Sequence, residues 1–147
     1  MSRADNLNAV EQAIGYRFRH PALLARALSH RSVGADNNER LEFLGDAVLE
    51  LVVSEALFHR HCKASEGELS RLRASLVRKE TLAEVARELG LGARVSVAEG
   101  ERKAATRERP AVLADALEAV IGAVFVDAGY AAATDLDQRL LAAPAPA

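Results

Sequence analysis

The chain has 147 residues, with 19 Lys and Arg against 21 Asp and Glu and a formal net charge of −2. That length supports one domain with its own core, and a single cysteine, Cys62, excludes an internal disulfide framework. No apolar run is long enough for a membrane span, and the N-terminus shows no signal-peptide core, so a cytoplasmic protein is expected. Half the residues are hydrophobic and only 4% aromatic. Rich in Ala and Leu, this composition favours an all-α fold.

Leu7 to Ile14 is predicted as a short amphipathic helix ended by Gly15. His20-Pro21 opens a second, since Pro suits the first helical turn, with Leu23, Leu24, Ala27 and Leu28 as its stripe. Ser32 to Asn37 reads as a loop. Asn38 is placed to cap a long helix reaching about His61. Ser65 and Glu68 have the capping-box spacing. The helix they open turns Leu69, Leu72, Leu76 and Val77 inward and Arg71, Arg73 and Arg78 outward. Thr81 to Leu89 is a further helix, closed by Gly90. Leu91 to Arg109 is polar and without period, a loop holding an extended piece at Arg94 to Val97. Pro110 starts a helix that Asp127-Ala128-Gly129 ends, and Ala131 to Leu141 is the last. Ala142 to Ala147, with Pro144 and Pro146, reads as a linker after a domain spanning 1–141.

The chemistry concentrates in two of these helices. The one after Asn38 carries Leu41, Phe43, Leu44, Val48, Leu49, Leu51, Val52 and Val53 around most of its circumference, which predicts burial. Glu42 and Asp46 nevertheless sit in it, four apart on one face, without a basic residue four positions on. The nearly all-apolar helix after Pro110 carries Asp115 and Glu118, three apart. Buried carboxylates without a partner are costly. If the two helices pack side by side, four carboxylates meet at one point, a set suited to one or two magnesium ions with positions open for phosphate and water.

The stretch Asn38-Glu39-Arg40-Leu41-Glu42-Phe43-Leu44-Gly45-Asp46 resembles the signature of the ribonuclease III family. The resemblance continues in Ala27-Leu28-Ser29-His30-Arg31-Ser32, in Glu66 to Val77, and in Leu113-Ala114-Asp115-Ala116-Leu117-Glu118-Ala119, so that it covers about Leu7 to Leu141. It implies an all-α, dimeric endonuclease domain that hydrolyses double-stranded RNA with magnesium, for which manganese can substitute. Glu42, Asp46, Asp115 and Glu118 would hold metal, with Asp46 and Glu118 the most damaging to lose. Glu39 and Glu66 would line the groove and position substrate or outer-shell water, although Glu66 also suits a helix start. Phe43 would pack into a partner subunit.

Twelve of the 19 basic residues lie between Arg60 and Arg109, against eight acids there. Among them Arg71, Arg73, Arg78, Lys79, Arg102, Lys103, Arg107 and Arg109 are candidate contacts to the RNA backbone. His30 and Arg31 match the family as a structural pair. His59, His61 and Cys62 carry no ligand pattern with the acids. Two departures stand out. Ala104-Ala105-Thr106 occupies the place of the family's usual Ser-Gly-Gly. The double-stranded-RNA-binding domain that usually follows the bacterial nuclease domain is absent, and truncation is the expected reason.

Overall fold

The computed structural model describes residues 2–98 and 103–141. Eight helices order them: α1 (Arg3–Ile14), α2 (Pro21–Ala27), α3 (Glu39–Arg60), α4 (Glu66–Val77), α5 (Lys79–Glu88), α6 (Lys103–Arg107), α7 (Pro110–Ala128) and α8 (Tyr130–Leu140). The proposed linker at Ala142 to Ala147 lies outside the described residues.

The axis of the fold is α7. Every residue from Val112 to Val124 is buried except Asp115. Helices α2, α3, α5 and α8 pack around it, and α4 lies against α3 and α5. Leu113, Leu117 and Ile121 are fully buried, each worth roughly 1.5–3 kcal/mol of apolar transfer. The all-round apolar reading therefore holds for α7.

It fails for α3. Leu41, Val48, Leu49, Val52, Val53 and Leu57 face the core, but Phe43 is 81% exposed, Leu51 56% and Phe58 65%. These three lie within about a quarter of a turn of one another at 100° per residue, so α3 has one buried face and one open apolar face.

What brings α3 so near α7 is glycine. A Cβ at Gly45 would overlap the Glu118 carbonyl, and a Cβ at Gly122 would overlap the Leu41 carbonyl. Neither collision is with a movable side chain, so only glycine allows the backbones to touch here. Gly within a helix costs about 1 kcal/mol relative to Ala, and close packing of the two helices offsets it.

Local signals explain most helix ends. Ser65 Oγ accepts from Glu68 N at 3.2 Å and Glu68 Oε1 accepts from Ser65 N at 3.2 Å, completing the capping box. Gly15 and Gly90 are left-handed, at φ 71° and 72°. Asn38 precedes α3 as expected, yet its side chain donates to Ala27 O instead; Asn37 Oδ1 accepts from Glu39 N at 3.0 Å. Leu72, read as inward, is exposed, because α4 touches its neighbours along too narrow a face to bury any residue fully.

The polar stretch after Leu91 is more ordered than a loop. A 3-10 turn spans Gly92–Arg94, and Ala104, Ala105 and Thr106 fall within α6, consistent with alanine's helix preference. The extended piece is present. Ser96 bridges Ser29 in parallel, with His30 N donating to Ser96 O at 3.0 Å and Ser96 N to Leu28 O at 2.8 Å. Val95 and Val97 pack with Val112 and Ala116 in a satellite core.

One polar knot was not anticipated. Asp127, in the last turn of α7, accepts from Tyr16 Oη at 2.5 Å, Arg19 N at 2.8 Å, and His20 N at 3.1 Å, and pairs with His20 Nδ1 at 2.9 Å. It ties the end of α7 to the start of α2. Burial works against its charge, but these donors outweigh it and hold the carboxyl down at about 2.

Candidate metal centre

Glu42 and Asp46 stand one turn apart on α3, either side of the glycine contact, with Asp115 and Glu118 on the facing turn of α7. The touching backbones bring the acids together. One oxygen each from Glu42, Asp115 and Glu118 lies within 4.8 Å of the other two. Asp46 is exposed and lies at the open side, sharing a hydrogen bond with Glu118, as Glu42 does with Asp115.

The electrostatics are those of anions without enough cations. Glu118 is raised to about 9, first by burial, then by the hydrogen bond and charge of Asp46, then by the charges of Asp115 and Glu42. Glu42 is raised to about 7 by burial, then by Asp115, with Lys79 pulling the other way. Asp115 Oδ1 is buried and accepts no hydrogen bond; the Lys79 ammonium stands 3.7 Å from it. A buried oxygen without a donor is costly. An all-carboxylate set with a spare buried oxygen fits a hard divalent cation, whose charge would favour the ionised carboxylates.

The centre opens into a cleft of about 550 Å³ lined by Glu39, Glu42, Asp46, Glu118, Arg78 and Lys79, with Phe43 at its edge. A second cavity of about 410 Å³ lies on the Asp115 side. It shares Glu39, Glu42 and Lys79 with the first and adds His30, Arg31 and Arg109. A 3-10 turn at Arg31–Val33 orients that wall, with His30 Nδ1 accepting from Ser32 N at 3.2 Å.

The other candidates divide. Glu39 opens α3 and lines both cavities. Glu66 is exposed at the start of α4 and lines neither; the capping box uses Glu68, not Glu66. Arg71 is exposed on α4. Arg78 reaches the cleft but also pairs with Glu80 at 3.2 Å. Arg73, read as outward, donates to Ser54 Oγ on α3 at 3.0 Å, so it braces α4 against α3. Arg107 donates to Val95 O at 2.9 Å and ties α6 to the extended piece. Lys103 begins α6, and its side chain is outside the described ones, as is Arg102.

Sequence reasoning passed over Gly45, Gly122 and the place of Lys79 at the centre. The two glycines had a readable signal, an isolated Gly inside an otherwise apolar helix, which marks close approach. Lys79 had none, since its distance to Asp115 is set by how α5 docks on α7.

The model of the ribonuclease-III-like family matches residues 20–144. The chain belongs to this family. A protein from Aromatoleum aromaticum named Ribonuclease 3 is 53% identical over 137 residues, 93% of this chain and 61% of that one. Another Ribonuclease 3, from Cupriavidus pinatubonensis, is 52% identical over 135 residues, 92% of this chain and 53% of its own. The chain thus spans between half and two thirds of the curated relatives it matches. The nuclease domain of ribonuclease III from Campylobacter jejuni superposes with a TM-score of 0.89 at 46% identity, covering 92% of this chain and 95% of that one. That structure is described by flexibility in a region involved in dimer formation. For a ribonuclease-III-like chain, an all-α architecture and an acidic cluster suited to a dication are the two features expected, and both are present. No described helix is long and apolar enough to cross a membrane.

Proposed function

We propose that this chain is a divalent-metal-dependent endoribonuclease domain that hydrolyses phosphodiester bonds of double-stranded RNA, in the processing of ribosomal and messenger RNA. The observation that carries the reading is the convergence of Glu42, Asp115 and Glu118 from two helices, with Asp46 beside them, where two open cavities adjoin. Magnesium is the metal proposed, with manganese able to substitute. Glu42, Asp46, Asp115 and Glu118 hold it, and Asp46 and Glu118 are the residues on which catalysis depends most. When bound, the metal supplies a water of lowered pKa and positive charge for the phosphate oxygens. Glu39, which lines both cavities, is assigned to orienting substrate or outer-shell water. Glu66 is assigned to the substrate groove. Arg71, Arg73, Arg78, Lys103 and Arg107 were all candidates for the RNA backbone; Arg71, exposed on α4, and Arg78, at the cleft, suit it best. Arg73 and Arg107 are engaged inside the protein.

The working unit is a homodimer joined through the open face of α3. Phe43, Leu51 and Phe58 form an exposed apolar row of the kind that marks an interface, and Phe43 also borders the acidic cleft. Two such centres at one interface would cut opposite strands, leaving 5′-phosphate and 3′-hydroxyl ends with a two-nucleotide 3′ overhang. The deciding experiment is cleavage of end-labelled duplex RNA with and without magnesium. Magnesium-dependent cutting lost in Asp46→Ala supports the reading. Absence of cutting at any protein concentration, with helical content intact, would reassign the domain to RNA binding or assembly.

A further inference from the structure

Lys79 is the first residue of α5, and its docking against α7 sets the ammonium beside the acids. It reaches Asp115 Oδ1 at 3.7 Å, an oxygen that is buried and accepts no hydrogen bond. Its side chain is 64% exposed, so the long stem is free to move. It also lines both cavities, the acidic cleft with Asp46 and Glu118, and the neighbouring one with Arg31 and Arg109. Lys79 thus stands where the acidic cleft meets a cavity that Arg31 and Arg109 share with Glu39, Glu42 and Asp115.

We propose that Lys79 is an internal counter-charge that competes with the dication for Asp115, and that once displaced it turns to the Arg31 and Arg109 side to hold a phosphate of the RNA strand. The inference rests on the metal reading above. A dication held by Glu42, Asp115 and Glu118 puts like charge against the ammonium, and like charges a few ångströms apart in a poorly solvated site repel. Lysine is a point charge on a flexible four-carbon stem and relocates at little cost. The second cavity holds two guanidinium-bearing residues beside Glu39, Glu42 and Asp115; with Glu42 and Asp115 neutralised by the dication, positive charge is left in surplus, and phosphate is the group that answers it. Metal loading and RNA capture are thereby linked through one side chain.

The test uses Lys79→Met and Lys79→Arg beside the wild-type chain. Binding of Mn2+ without RNA is measured by calorimetry, and cleavage of a duplex RNA at saturating metal by initial rates. Lys79→Met should bind Mn2+ about two- to fivefold more tightly, the range for losing one largely exposed ion pair. The same variant should raise KM for RNA with a smaller change in kcat, and Lys79→Arg should restore KM. General damage to the site would weaken both ligands, so opposite shifts are the signature. Unchanged or weaker Mn2+ binding by Lys79→Met, with its circular dichroism intact, overturns the counter-charge. An unchanged KM overturns the phosphate contact. If the wild-type chain itself binds no Mn2+, the metal reading falls and takes this one with it, an outcome distinct from both.

Discussion

Glu118 and Asp127 lie on the same helix, nine positions apart, and both are buried. Burial pushes each towards its neutral form, yet they end at opposite extremes, Glu118 at about 9 and Asp127 at about 2. The difference lies in what the fold supplies. Asp127 receives a hydroxyl, two amides and an imidazole from the α1–α2 region. Glu118 receives other carboxylates. A structural acid is given its donors by the protein, whereas an acid kept for a ligand is left short of positive charge. Asp137 makes a third case. It is 1% exposed with neither oxygen hydrogen-bonded, and burial alone raises it to about 7.

That contrast can be broken by mutation. The largest effect is expected from Glu118→Gln, which removes a carboxylate proposed to hold the metal while relieving repulsion. Cleavage should fall about a thousandfold, several kcal/mol of transition-state stabilisation, while thermal stability without metal rises. A variant that melts lower and still cuts would show that Glu118 is a structural acid like Asp127. Next in size is Gly45→Ala, whose methyl meets the Glu118 carbonyl. Forcing the helices apart should cost about 3 kcal/mol in chemical denaturation, together with the ability to bind metal; near wild-type stability would remove the close crossing from the account. Asp127→Ala should cost about 2 kcal/mol by the same measurement and leave Mn2+ affinity unchanged.

The pH dependence sharpens the comparison because its sign differs between the two acids. Asp127 is depressed from 3.8 to about 2. Its stabilisation is present above pH 3.8 and is lost as pH falls through 2. Glu118 and Glu42 are raised from 4.5 to about 9 and about 7. Stability of the metal-free protein is therefore greatest below pH 4.5 as far as they are concerned, and declines as pH rises through 7 and 9. Magnesium should oppose that decline, so the rise in Tm on adding it grows between pH 6 and 9, as scanning calorimetry would show. A rise in Tm independent of pH would mean that the acids are already ionised without metal. The smallest effect is expected at the open face of α3. Phe43→Ala should weaken self-association about tenfold by sedimentation and leave the two acids' titrations as they were.

The ends of most helices and the identity of the core helices were legible from the chain alone. The capping box at Ser65, Pro at a first turn, and Gly15, Gly90 and Gly129 at helix ends are short-range chemistry; the first helix, expected from Leu7, starts instead at Arg3 behind a Ser2 cap. The continuous apolar circumference of α7 is a property of its own residues. So is the spacing that puts Glu42 with Asp46 and Asp115 with Glu118. Periodicity misled where burial depends on a neighbour's width. Leu72 and the outer face of α3 are as apolar as the core positions, but nothing among the described residues covers them.

From sequence alone, then, came two largely apolar helices, each bearing a pair of acids on one face. Only tertiary structure decided that these helices touch backbone to backbone at Gly45 and Gly122, that Asp127 is satisfied while Glu118 is not, and that Lys79 arrives from a third helix. The reason is physical: periodicity and caps act over a turn or two of helix, whereas the surplus of negative charge at one point depends on the distance between segments some seventy residues apart.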